Sequence, residues 1–116
     1  MASKKVVVGA HYGLVDWIAQ RITAVILVVY TLVMLATLLL MPELSYTHWK
    51  GLFSGTLIRV LTLLAMLALC WHAWIGVRDI YMDYIKPTAV RLTLQVMTIV
   101  LLAGYAIWAI NILWSI

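Results

Sequence analysis

What this chain lacks narrows it quickly. It has one cysteine, Cys70, so no intramolecular disulfide can form, and no CxxCH motif exists to hold a covalently attached haem. Only four residues are acidic, and charged residues of either sign make up 10% of the chain, against about 25% in soluble domains. Prolines number two, Pro42 and Pro87, and both fall between long apolar runs rather than inside them. There is no nucleophile triad, phosphate-binding glycine loop or metalloprotease motif. Little in the chain could work as a soluble enzyme.

What is abundant is apolar surface, at 66% of the 116 residues. It is gathered into three stretches, Ile22 to Met41, Leu57 to Val77 and Leu92 to Ile116. Each approaches the ~20 residues that a helix rising ~1.5 Å per residue needs to cross a ~30 Å hydrocarbon core. Membrane strands are shorter and alternate in polarity, whereas a helix satisfies every backbone group internally in lipid. The expected architecture is therefore an all-α membrane protein of three transmembrane helices, over about residues 14–41, 54–85 and 89–115. Three spans leave roughly fifty residues for ends and connections, so residues 1–116 read as a single membrane domain. Residues before Leu14 read as a flexible tail. Val6–Val8 is too short for a signal-peptide core, and the tail is no Arg- and Ser-rich transit peptide, so the first span is expected to persist in a mature protein of a bacterial membrane.

The net charge of +4 reads as topology. Lys4, Lys5, Arg21, Arg78, Lys86 and Arg91 flank one side of the spans, and only Lys50 and Arg59 the other. Positive residues accumulate on the cytoplasmic side, which places the N-terminus in the cytoplasm and the C-terminus in the periplasm. Tyr46 and Trp49 are the amphipathic rings expected at an interface, and Arg59 reads as an arginine snorkelling to headgroups.

Among the chemically capable residues, His72 is the most informative. It is the only histidine within a span, six residues before Arg78 and so ~9 Å deep by helical rise. An ionisable group there faces protein, water or a ligand. Ala65, Ala68 and Gly76 share its face, a stripe that allows either close helix packing or the clearance a porphyrin needs beside an axial imidazole. Neither His11, in the tail, nor His48, across the membrane, can face His72 over a porphyrin, so a second imidazole would come from another chain. Arg21 could pair with a haem propionate or simply snorkel. Asp83 and Tyr84 lie at the membrane edge beyond His72. They could bind a quinone headgroup, or be an interfacial tyrosine beside an aspartate paired with Lys86 or Arg78.

The runs His72-Ala73-Trp74-Ile75-Gly76 and Asp83-Tyr84-Ile85-Lys86-Pro87, with Arg21-Ile22-Thr23-Ala24 opening the first span and Arg91-Leu92 the third, carry a resemblance. Over nearly its whole length the chain resembles the smaller hydrophobic membrane anchor subunit of succinate dehydrogenase, the succinate:quinone oxidoreductase of respiratory complex II. The resemblance implies a pairing with a second three-helix anchor, the cytochrome b subunit, with one haem b held between the two. His72 would supply one axial ligand to the haem iron and Arg21 would contact a propionate. Tyr84 would hydrogen-bond the ubiquinone carbonyl, with Asp83 as its acidic neighbour. The anchors would dock a flavoprotein carrying FAD and an iron–sulfur protein on the cytoplasmic face, so that electrons from succinate, a step of the tricarboxylic acid cycle, reach ubiquinone. The chain alone would not be catalytic. One departure is Val15, where relatives have a histidine before the aspartate matching Asp16; neither it nor His11 is assigned a role. Rival readings are a fumarate reductase anchor, a small proton or ion transport subunit, and a purely structural membrane adaptor.

Overall fold

The computed structural model describes the backbone of residues 2–116 and the side chains of residues 13–116. His11 and the tail expected before Leu14 fall outside the fully described residues. The chain is helical: α1 (Ala2–Leu40), α2 (Tyr46–Leu52), α3 (Thr56–Tyr84) and α4 (Thr88–Trp114). Three helices are long and apolar enough to cross a membrane, over Gly13–Leu40, Thr56–Tyr84 and Thr88–Trp114. This is the three-span, all-α architecture that the apolar runs imply.

The helix ends have local causes. Pro42 follows α1 after the single residue Met41, lacks an N–H to continue the helix and restricts the residue before it. The connection beyond it is not wholly irregular, as α2 occupies most of it. Ser45 caps α2, its side chain accepting from the His48 N–H at 3.3 Å. A helix of seven residues is too short to show a hydrophobic period, so only its cap distinguishes it in sequence. α3 stops at Tyr84, one residue earlier than expected, with Ile85 already extended at φ −100 and ψ 109. Pro87, at φ −63, then opens α4, and its carbonyl accepts from the Arg91 N–H at 3.0 Å.

α3 is the central helix, packed against both α1 and α4. Its buried side chains are Ala65, Ala68 and Ile75, joined in the core by Ala19 and Thr23 of α1 and Leu113 of α4. The small stripe at Ala65 and Ala68 is thus packing between this chain's own helices, where small residues let backbones approach. Most large apolar side chains remain outward, Leu39 at 75% and Leu40 at 83% exposure among them. In water such a surface would aggregate; in hydrocarbon it is the solvated state.

With no hydrophobic force between helices in lipid, hydrogen bonds contribute to register, each about 0.6 kcal/mol on average. Tyr30 and Thr62 join α1 to α3 through their hydroxyls at 2.7 Å. Tyr81 and Thr98 join α3 to α4 at 3.0 Å. Thr98 gives its own proton to the Leu94 carbonyl at 2.8 Å, so the Tyr81 hydroxyl is the donor. The Cys70 thiol donates to the Leu102 carbonyl at 3.7 Å, turned toward α4.

Arg59 departs from the snorkelling reading. Its Nε donates to the Phe53 carbonyl at 2.8 Å, so it satisfies the end of α2 rather than extending freely toward headgroups. Phe53 is buried and meets Trp49 at a ring separation of 5.0 Å.

Candidate functional site: a polar seam between α1 and α3

One end of the α1–α3 seam gathers most of the polar chemistry of the spans. Thr23 is buried to 2% exposure, and among the described residues it is the one fully buried polar side chain. Its hydroxyl lies 2.7 Å from the Ala19 carbonyl and 3.1 Å from that of Gln20. Carbonyls only accept, and a threonine has a single hydroxyl proton, so that proton belongs to the α1 backbone. The same oxygen stands 3.0 Å from Nδ1 of His72 on α3. Thr23 must therefore accept, and His72 must donate from a protonated Nδ1. The opposite assignment would set two acceptors against each other at 2.7 Å.

A neutral imidazole protonated at Nδ1 carries its lone pair on Nε2. Nε2 has no hydrogen-bond partner among the described residues. His72 itself is half-buried, and its Nε2 is not among the buried unpartnered atoms of the described residues, which are Gln20 Oε1 and Arg78 Nε. The seam thus presents a ring anchored on its inner nitrogen and free on its outer one.

Toward the α3–α4 turn, Arg78 of α3 forms an ion pair with Asp16 of α1. It engages the aspartate through Nη2 and stands with its guanidinium 5.8 Å from the Trp74 ring centroid. Of the two partners that the alternative reading allowed Asp83, Lys86 and Arg78, the latter is held instead by a carboxylate on the neighbouring helix. Gly76 faces Gln20, and a Cβ placed there would meet only the Gln20 side-chain nitrogen at 3.8 Å, an ordinary contact. Packing on α1 is therefore not what requires a glycine at this position.

Beside the ion pair lies a cleft of about 290 Å³, bordered by Asp16, Gln20 and Arg21 of α1 and Ile75 and Asp79 of α3. Arg21 is exposed, with its guanidinium 4.6 Å from the Trp17 ring centroid, and has no ion pair among the described residues. Its charge remains available to an outside anion. Arg21 thus lies near His72 along the bundle, with Ile22 alone separating it on α1 from the threonine that holds the imidazole.

Tyr84 and Asp83 stand apart from this cluster. They are the last residues of α3, both exposed, Tyr84 to 77%. Twelve residues of helix put Tyr84 ~18 Å from His72 along the axis. The structure brings His72 and Arg21 to one end and leaves the tyrosine–aspartate pair as a separate outward-facing group beyond it. Residue-by-residue reading missed Thr23, Gln20 and the Asp16–Arg78 pair. Thr23 stood in the sequence only as part of the Arg21–Ala24 run, and nothing local couples it to His72, 49 positions away.

These features define a class, a small polytopic helical membrane protein whose polar residues converge at one end of the bundle. The sequence model of the family described as succinate dehydrogenase/fumarate reductase transmembrane subunit matches residues 1–108. A succinate dehydrogenase hydrophobic membrane anchor subunit from Coxiella burnetii (strain RSA 493 / Nine Mile phase I) is 40% identical over 102 residues, covering 88% of this chain and 89% of that protein. The chain belongs to the succinate dehydrogenase/fumarate reductase transmembrane subunit family, as its motifs imply.

Proposed function

We propose that this chain anchors a succinate:ubiquinone oxidoreductase to the bacterial cytoplasmic membrane and contributes residues to a haem b and to a ubiquinone site. In this reading it pairs with a second three-helix anchor, and the two dock an iron–sulfur subunit and an FAD-bearing flavoprotein on the cytoplasmic face. The N-terminus and the α3–α4 turn then lie on the cytoplasmic side and the C-terminus on the periplasmic side, in keeping with the charge asymmetry. The 40% identity to a succinate dehydrogenase anchor favours succinate oxidation over the fumarate-reducing alternative.

The observation that carries the haem assignment is the state of His72, half-buried, with Nδ1 bound inward to Thr23 and Nε2 without a partner among the described residues. Axial ligation needs a neutral imidazole with an open lone pair and a partner on its other nitrogen, and these residues fit. Arg21, charged and without an ion pair among the described residues at the same end, fits a propionate carboxylate. Gly76, one turn beyond His72 and not needed for packing on α1, leaves room beside the ring. Haem b, when bound, supplies one-electron redox chemistry within the low-dielectric membrane.

Tyr84 and Asp83 serve the quinone. The phenol donates a hydrogen bond to a carbonyl oxygen, and the carboxylate beside it holds and passes protons at the membrane edge. Exposure of both at the end of α3 supports this, because a docked neighbour is then needed to complete the site.

The decisive test is a dithionite-reduced minus oxidised visible spectrum of the complex purified through a tag on this chain. A b-type band in the wild type that is lost in His72→Ala is the expected result. Full haem occupancy in an assembled His72→Ala complex would overturn the ligand role. A wild-type complex without haem would overturn the haem assignment altogether and return attention to transport or adaptor roles.

A further inference from the structure

Thr23 shares with Thr98 a hydroxyl that gives its proton to its own helix and accepts from a neighbouring one, but Thr23 does so fully buried and toward a histidine. A threonine in a membrane helix commonly bonds back to the carbonyl four residues earlier, as Thr31, Thr37, Thr93 and Thr98 do here. Thr23 does the same to Ala19, but it is buried to 2% and its remaining acceptor capacity is directed at His72. Its proton being committed to the backbone, the hydroxyl can be nothing but an acceptor toward α3.

We propose that Thr23 is the positioning residue of His72, selecting the Nδ1-protonated tautomer and fixing the ring so that Nε2 faces outward. The inference rests on the haem reading above. It concerns what Thr23 does for His72 and adds no ligand. Two consequences follow from the chemistry of the contact. Without an acceptor at 3.0 Å, the Nδ1 proton has no partner on α1, and the ring is free to rotate or to move its proton to Nε2, the atom that must ligate. A hydrogen bond donated from Nδ1 also makes the imidazole a stronger donor to iron through Nε2, and that favours the ferric state. Removing the acceptor therefore raises the haem midpoint potential.

The isosteric Thr23→Val replaces the hydroxyl by a methyl, and Thr23→Ser restores it without the methyl. Both are made in the full tagged complex, with His72→Ala alongside. Thr23→Val is expected to lower haem retention about 10- to 100-fold, the usual range for loss of a partner to a ligating histidine. Haem that remains should show a raised midpoint potential and a high-spin ferric fraction by electron paramagnetic resonance. Thr23→Ser should return all three readings to wild type. Wild-type haem content, spin state and potential in Thr23→Val would overturn the proposal, and so would a serine variant as defective as the valine one. If Thr23→Val does not assemble, Thr23→Ala takes its place. Failure of both to assemble would overturn positioning in favour of a structural role. The underlying haem reading fails separately, if His72→Ala keeps its full haem.

Discussion

In the part of the α1–α3 seam toward the α3–α4 turn, polar side chains of the two helices reach across to one another; in the connection around α2 they bond to their neighbours in sequence. Thr23 and His72 are 49 residues apart and Asp16 and Arg78 are 62 apart. Around α2, by contrast, Ser45 bonds His48 three residues on, Ser54 bonds back to Gly51 and Arg59 to Phe53. Local bonds of the second kind decide where a helix starts and stops. Bonds of the first kind decide how α1 is rotated and at what height it meets α3, and so where the imidazole points. The two regions are equally polar to the eye, but the seam is a tertiary arrangement and the α2 connection a local one.

That contrast can be broken from either side. The largest effect expected is His72→Ala, which should abolish the reduced b-type band while leaving the helices in place. Next is Asp16→Asn, which strips Arg78 of its counter-charge. Breaking a fully buried pair costs about 3–5 kcal/mol. Here Arg78 and Asp16 retain 24% and 41% side-chain exposure, and screening reduces the cost to about 1–2 kcal/mol. A lowered thermal or detergent unfolding midpoint of the complex would register it. Removing both charges with Asp16→Leu and Arg78→Met should recover much of the loss, because neither charge is then stranded.

In the proposed quinone site, Tyr84→Phe would remove a single hydrogen bond. About a tenfold fall in quinone-reductase kcat/KM is expected, with succinate oxidation by an artificial acceptor unchanged. A parallel fall in both activities would point to a packing role. Smallest is Ser45→Ala in the α2 connection, where loss of a cap on a short, exposed helix should cost about 0.5 kcal/mol. It should change neither the haem spectrum nor quinone turnover. A spectral change there would mean that the two regions are coupled after all.

Much of the fold was legible because lipid is a strict solvent. Twenty apolar residues in a row have few alternatives to a spanning helix, and Pro42 and Pro87 mark the breaks in plain sight. α2 was missed because seven residues carry no period, and Arg59 was misread because an arginine near a membrane edge has two good options. Lys86 and Arg78 both stand near Asp83 in sequence, but proximity in space gives Arg78 to Asp16. His72, Arg21, Asp83 and Tyr84 all stood out as polar residues or motif members. Thr23 did not, since a threonine in an apolar helix ordinarily satisfies itself.

The sequence by itself therefore determined that there are three membrane helices, where they break, which few polar residues they carry and, through its motifs, the family. Only the tertiary structure decided the state of His72. Side chains advance by ~100° per residue around a helix, so a small rotation of α1 against α3 would carry the Thr23 hydroxyl out of reach of Nδ1. The tautomer, and with it the open lone pair on Nε2, depends on how two distant helices are packed.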